Sequence, residues 1–410
     1  MSAKRKIAVL VGDGMGDEPI AALGGRTPLA VAKNPWMRRV AGLGRRLLVR
    51  TVPEGLKPGS DVANMGLLGY DARTNYTGRA AIEAAGGGVE LKPGDVAFRT
   101  NLVSIGPDGE MADYSAGDFP TEGGRALIAA LDEAAKAVRG DLEFHGGVSY
   151  RHLLVWHDGP TELVLNPAHA ISGRKVADYL PSGPRAEEML ALMELSRKVF
   201  ADHPANAARR AAGKTTATQI WPWGAGAAMA LETYGARYGR KGSVITAVDL
   251  VRGLGVLCGL NVPRVEGATG WIDTNFAGKA AAAIEALREN DFAYVHVEAP
   301  DECGHKGMPE AKVKAIEDID TLIVGPVWRA LEEAGEPYRL FVCTDHRTPV
   351  ACRDHTSDPV PFAWIDGPVG MDAIEKAPLA DFDESVPAEL TSDGQLPLVC
   401  MVMDRLLREE

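Results

Sequence analysis

The chain has 410 residues, enough for two domains of ordinary size, and 46% hydrophobic with 6% aromatic residues is the balance of a protein with a sizeable core in each. A formal net charge of -12, with no Lys/Arg block to offset it, excludes a general nucleic-acid or membrane-surface binder, although local arginines beside cations still admit an anionic substrate. Five cysteines, at 258, 303, 343, 352 and 400, form no CxxC pair, which argues against a disulfide framework or zinc ribbon and for a reducing cytoplasm.

In chain order, the basic start Met1-Ser-Ala-Lys-Arg-Lys precedes an apolar run of only 7–11, too short for a signal segment or a membrane span. That run reads as a buried strand, and Gly12-Asp13-Gly14-Met15-Gly16-Asp17 as the loop at its carboxyl end. Asp13 either turns the chain beside these glycines or serves as a ligand in a buried site. The glycines lack GxGxxG spacing, so no Rossmann cofactor site is expected. Residues 28–40 have helical character and 47–52 read as a short strand. In Pro58-Gly59-Ser60-Asp61 the serine directly precedes a helix-like run. It is either an N-cap or an exposed hydroxyl at a helix N-terminus, where amides favour phosphate and a neighbouring metal would make it a nucleophile.

From Tyr76-Thr-Gly-Arg79 to about Ile272, short strand-like runs (96–98, 153–157, 162–165) alternate with amphipathic helices (122–139, 187–200). The expected division is a core of 1–77 and 273–410 with an inserted substrate-binding or lid domain of 78–272. Within the insert, Arg99, Asn101, Arg151, His152, Arg209 and Arg210 are candidate substrate contacts, since guanidinium groups grip carboxylates and phosphates bidentately; each is otherwise a surface charge. Ile220-Trp-Pro-Trp223-Gly is either an aromatic wall near the hinge or core packing. An Ala-rich helix over 277–288 leads to a strand over 293–298 and then to Asp301 and His305. A long helix over 310–331 carries Glu317, Asp318 and Asp320 on a solvated face. The strand 338–342 runs into Asp345, His346 and His355; a strand over 361–365 and a helix over 398–407 close the chain.

Collected, Asp13, Ser60, Asp301, His305, Asp345, His346 and His355 are expected mostly in loops after strands, at the carboxyl edge of an open α/β sheet. Mixed carboxylate and imidazole ligands suit Mn²⁺ or Zn²⁺ better than Mg²⁺ or Ca²⁺. Two ions about 4 Å apart would clamp a phosphoryl group.

Asp13 after the first strand, Pro-Gly-Ser60-Asp61, Tyr-Thr-Gly-Arg79, Asp301-Glu-Cys-Gly-His305, Thr-Asp345-His346 and Asp-His355-Thr-Ser-Asp-Pro together resemble the archaeal-type cofactor-independent phosphoglycerate mutases of the alkaline phosphatase superfamily. The resemblance implies an alkaline phosphatase-like α/β core with a mostly parallel sheet, plus an inserted smaller domain. It implies two divalent ions, Mn²⁺ first with Zn²⁺ and Mg²⁺ as alternatives, and no 2,3-bisphosphoglycerate. Asp301, His305 and His355 would hold one ion; Asp13, Asp345, His346 and Ser60 would hold the other, with Ser60 the nucleophile that becomes phosphoserine. The longer bacterial mutases place glutamate after that serine, where this chain has Asp61. Val-Pro-Glu-Gly, Val-Ser-Tyr-Arg151-His152 and Ile-Trp-Pro-Trp223-Gly are similar to a bacterial branch proposed to be homoserine kinases, which makes ATP-to-homoserine transfer the alternative reaction. A non-catalytic metal-binding regulator that has kept only the fold is a further alternative.

Overall fold

The computed structural model describes residues 4–409, so the first residues of the basic N-terminal stretch lie outside the described residues. The chain divides into two compact units, one running up to Tyr76 and resuming at Leu231, the other comprising Thr77–Ala230. Strands β1 (Lys6–Gly12) and β2 (Arg45–Val49) come first. The second unit holds β3 (Val96–Ile105), β4 (Met111–Asp113), β5 (Leu142–Val148), β6 (Arg151–Trp156) and β7 (Gln219–Ala227). The first unit then resumes with β8 (Gly242–Ile245), β9 (Phe292–Val297), β10 (Tyr338–Thr344) and β11 (Val360–Gly367).

In the larger unit the sheet order is β2-β11-β10-β1-β9-β8. β1 runs parallel to β10 and β9, and β8 parallel to β9; only β11 opposes its neighbours. Ile7 to Val11 are all buried, because both faces of a central parallel strand are covered, and this is why they read as an uninterrupted apolar run. Register carries the function: Gly12 stands beside Thr344 of β10 and Val297 of β9. The segments after all three strands therefore leave the sheet at one edge, where open α/β sheets collect their ligands.

The smaller unit is antiparallel, with β3 flanked by β6 and β7. Helices Thr121–Val138 and Ala186–Ala201 bury Leu127, Leu131, Met189 and Met193 in one cluster with Phe98, Leu154, Trp156 and Trp221. The α/β core with a smaller α/β unit is thus the architecture expected, and the observed strand 96–105 is far longer than the three residues anticipated. Pro222 is tolerated in β7 because that strand pairs only with β3 and its other edge carries no ladder.

Several expectations need correction. The return to the larger unit lies at 230/231 rather than 272/273. β8 pairs with β9, and the helix Asp249–Leu257 buries Leu250, Val251 and Leu254, but neither element carries the acid and histidine pattern that marked the core. Residues 162–165 make a single bridge, Val164 to Ser182, and no strand. The 28–40 stretch is two helices, Pro28–Val31 and Pro35–Leu43, broken where Pro35 cannot continue the first. The long helix expected over 310–331 is present as one unbroken helical run, Pro309–Ile319 and Gly325–Ala334 with a π segment, Asp320–Val324, between them.

Asp320 is not on a solvated face. It is fully buried and accepts the backbone N–H groups of Trp36 (3.2 Å) and Met37 (2.7 Å), closing the N-terminus of the Pro35–Leu43 helix, while burial pushes its carboxyl up to about 7. Lys312 is buried as well: its Nζ donates to Gly16 O at 2.9 Å, Asp17 Oδ2 at 2.7 Å and Thr348 O at 2.8 Å. One ammonium thus ties the loop after β1 to the loop after β10. Lys312→Met leaves Asp17 buried and unpaired and is expected to destabilise the fold by about 3–5 kcal/mol. Urea denaturation of the variant measures this; a loss within error of zero would show that the ammonium does not tie the loops.

Candidate active site

Each site residue is placed by a segment that follows a parallel strand or by a helix start. Asp13 follows β1; Asp345 and His346 follow β10; His355 lies between β10 and β11; Ser60 opens the helix Ser60–Leu67. Asp301 and His305 sit one turn apart on the helix Ala299–His305, a spacing that puts both on one face.

The structure brings all seven together. Ser60 Oγ lies 3.3 Å from Asp13 Oδ2 and 3.2 Å from His346 Nε2. His346 Nε2 is 3.3 Å from Asp13 Oδ1 and 3.5 Å from Asp345 Oδ2. Asp301 meets His305 Nε2 at 3.2 Å and His355 Nε2 at 3.4 Å, and the two imidazole nitrogens are 3.0 Å apart. Donor atoms within 4.8 Å of one another form three groups: Asp301, His346 and His355; Asp13, His296 and Asp345; and Asp13, Glu298 and Asp301. His346 therefore lies within 4.8 Å of the Asp301 group while standing 3.3 Å from Asp13.

This much buried carboxylate is electrostatically unfavourable without cations. Burial, reinforced by Asp345 and Asp301, raises Asp13 well above the usual carboxylate range, and burial with Asp301 lifts Glu298 to about 8. Burial also acts on Asp301, but hydrogen bonds from His305 and His355 prevail and hold it well below that range. The bond to Asp301 raises His305 to about 9, whereas burial lowers His346. Asp13 Oδ1 is buried with no hydrogen-bond partner. The tautomers suit metal ligation too. His305 Nδ1 donates to Arg353 O at 2.9 Å, and the Thr348 hydroxyl, already donating to Asp301, leaves its oxygen to accept His346 Nδ1–H at 3.2 Å. In both rings Nδ1 holds a proton and Nε2 faces the cluster, so once His305 gives up the Nε2 proton it shares with Asp301 this set of oxygens and nitrogens fits divalent cations without any thiolate.

Sequence reasoning missed the residues that hold this set in place. Asn64, one turn after Ser60, donates Nδ2 to Asp345 Oδ2 and to Ser60 O, both at 2.8 Å, and accepts the Tyr294 hydroxyl at 2.6 Å. Gly14, at φ 60°, donates its N–H to Asp345 Oδ1 at 3.0 Å; a Cβ there would fall 2.6 Å from Asp301 Oδ1, so only glycine fits. His296 reaches Asp13 Oδ2 from Nε2 at 2.9 Å. The available signal was a lone imidazole inside an apolar strand, five residues before Asp301.

In the smaller unit, the β3–β6 register sets Arg151 opposite Asn101 and His152 opposite Thr100, so Arg99, Asn101 and Arg151 share one face and His152 takes the other. Arg99 donates Nε to Glu83 at 2.8 Å and stacks 3.9 Å over Trp223. Asn101 accepts Trp223 Nε1 at 3.0 Å, and Trp221 is core packing. His152 is buried, accepts Gly147 N–H at Nδ1, and is pushed by burial down to about 4. Arg209 and Arg210 bind backbone carbonyls, Arg209 at Ala116, Gly117 and Thr215, and Arg210 at Ala201. That gives both a structural account.

A mostly parallel α/β sheet whose strand ends gather acids, imidazoles and a helix-opening serine defines a metal-assisted phosphoryl-transfer enzyme. The 2,3-bisphosphoglycerate-independent phosphoglycerate mutase family matches residues 41–206. A Geobacter sulfurreducens protein named as a probable 2,3-bisphosphoglycerate-independent phosphoglycerate mutase is 47% identical, over 98% of this chain and 100% of its own. The 2,3-bisphosphoglycerate-independent phosphoglycerate mutase of Methanosarcina acetivorans is 46% identical over 96% of this chain and 97% of its own. The solved structure of the cofactor-independent phosphoglycerate mutase from Thermoplasma acidophilum is 26% identical with a TM-score of 0.66, covering 98% of this chain and 100% of that one. This chain belongs to the 2,3-bisphosphoglycerate-independent phosphoglycerate mutase family. Among the described residues no helix is long and apolar enough to cross a membrane.

The charge balance sets a pH dependence. Glu298, raised in the fold from 4.5 to about 8, loses stability as pH rises through that interval. His305, raised from 6.5 to about 9, contributes stability below 6.5 that is lost as pH climbs through about 9. The two act in the same direction, so in EDTA the melting temperature is expected to fall between pH 6.5 and 9. Mn²⁺ at a hundred times its Kd is expected to add about 2.7 kcal/mol. Scanning fluorimetry across the pH range tests both; a level or rising melting temperature in EDTA contradicts the assignment.

Proposed function

We propose that this chain interconverts 3-phosphoglycerate and 2-phosphoglycerate by passing the phosphoryl group through Ser60. The observation that carries this reading is the seat of Ser60: its Oγ lies at a helix N-terminus, 3.3 Å from Asp13 and 3.2 Å from His346, beside the remaining acids and imidazoles. Asp301, His305 and His355 would hold one divalent ion, and Asp13, Asp345, His346 and Ser60 a second, with Mn²⁺ the metal of choice. Bound ions supply Lewis-acid charge that ionises a hydroxyl near neutral pH and neutralises phosphoryl oxygens.

The chain's own groups do the rest. Asp13 Oδ2 and His346 Nε2 orient Ser60 Oγ. Oγ forms a bond to phosphorus as the bond from phosphorus to the glycerate 3-oxygen breaks; that oxygen leaves with the bonding pair and takes up a proton. Helix-start amides favour the charge of the phosphoryl group. Glycerate stays bound, turns over, and attacks through its 2-hydroxyl, which surrenders its proton as the bond from phosphorus to Oγ breaks. In the smaller unit we assign carboxylate binding to the face with Arg99 and Arg151, where a fork of N–H donors matches a planar acid.

The kinase alternative rests on three short sequence matches. The mutase reading is favoured by relatives 46% and 47% identical along nearly the whole chain that carry the mutase name. With Mn²⁺ present, 2-phosphoglycerate is expected from 3-phosphoglycerate alone, and no phosphohomoserine from ATP and homoserine; the reverse outcome makes the chain a kinase. Ser60→Ala is expected to lower mutase turnover at least about a thousand-fold. Full activity in that variant would remove Ser60 as the nucleophile.

A further inference from the structure

We infer that His296, set by Thr246, is a positioning residue for Asp13: it holds one carboxylate oxygen so that the other is presented to a cation. This rests on the reading of the site as a divalent-metal centre and adds a residue to it.

The strand register brings the two groups together. His296 of β9 stands beside Val11 of β1, and Asp13, two residues after Val11, donates its own backbone N–H to Val297 O at 2.9 Å. The side chains of His296 and Asp13 therefore project from adjacent strands to the same side, both almost completely buried. Nε2 comes within 2.9 Å of Asp13 Oδ2 as an ion-pair contact outside hydrogen-bond geometry, and Asp13 Oδ1 likewise has no hydrogen-bond partner. The ring is anchored behind. Lys279 Nζ donates to the backbone oxygen of His296 at 3.0 Å, and Thr246 Oγ1 lies 3.3 Å from Nδ1.

Thr246 also bears on the tautomer. Its oxygen accepts the backbone N–H of Val248 at 3.1 Å, and we assign its hydroxyl hydrogen to His296 Nδ1, 3.3 Å away. Nε2 then carries the proton, 2.9 Å from Asp13 Oδ2. This is the opposite arrangement to His305 and His346, whose Nδ1 atoms donate and whose Nε2 atoms face the cluster. A ring that presents N–H to a carboxylate orients a ligand and is not one itself, and removing such a partner typically weakens metal binding 10–100-fold.

The test uses the full chain and Co²⁺, read by equilibrium dialysis and by visible absorption of the bound ion. Wild type is expected to take up two ions per chain. Glutamine can place its amide N–H near the position of Nε2, whereas asparagine reaches only as far as Nδ1. His296→Asn is therefore expected to bind one ion as wild type does and the other about 10–100-fold more weakly. His296→Gln is expected to bring the second affinity back to within a few-fold, with wild-type band positions. Thr246→Val, which keeps the ring and removes the hydroxyl, is expected to weaken the same ion; it also keeps the test open if the asparagine variant does not fold. Two ions bound by His296→Asn at wild-type affinity overturn this inference alone, as does a glutamine variant as weak as asparagine or with shifted bands, which would make His296 a direct ligand. Fewer than two ions on the wild type overturns the proposed function as well.

Discussion

Three carboxylates, Asp13, Asp301 and Asp345, are withdrawn from water at the ends of three adjacent parallel strands, and much of the larger unit follows from keeping that charge in place. Buried anions are costly unless paired or bound to cations. The nearby buried ammonium groups are occupied elsewhere, Lys312 with Asp17 and two carbonyls, Lys279 with the His296 carbonyl. Imidazoles provide the partial answer, and the opposed shifts of Asp13 and Asp301 show how uneven it is.

Members of the cluster are held by groups from different elements. Asp345 is gripped by the Gly14 amide from the loop after β1 and by Asn64 from the helix that Ser60 opens. Thr348 joins Asp301 to His346, and Lys312 secures the backbone of that same threonine. Asn64 also holds Ser60 O, so the start of the helix that Ser60 opens and the aim of one carboxylate are set by a single side chain. Groups whose rotamers are fixed this way meet developing charge without reorganising.

Most of the reacting cluster was legible because its residues follow apolar runs that end abruptly in acids and histidines, a pattern that a parallel sheet edge imposes. What stayed hidden was anything whose meaning depends on a partner distant in sequence. Lys312 and Asp320 sit on helical stretches where spacing alone suggests a solvated face, yet one neutralises Asp17 and the other closes a helix 283 residues away. His296 is a lone imidazole within an apolar strand, indistinguishable by pattern from a packed core residue. The 230/231 junction was missed because β8 has only four residues and no ionisable side chain; pairing with β9, a tertiary fact, assigns it to the core. Arg209 and Arg210 looked like an anion grip, but nearby carbonyls claim them.

The two unit boundaries, at 76/77 and 230/231, fall such that Asp13, Ser60, Asp301, His305, Asp345, His346 and His355 all lie outside the segment between them. The cluster of acids, imidazoles and serine is therefore encoded entirely outside one contiguous stretch of the gene. Recombination at those two points could exchange the segment while leaving every group of the reacting cluster in its own reading frame and on its own strand. Heredity in such a chain can alter one unit and conserve the cluster held by the other.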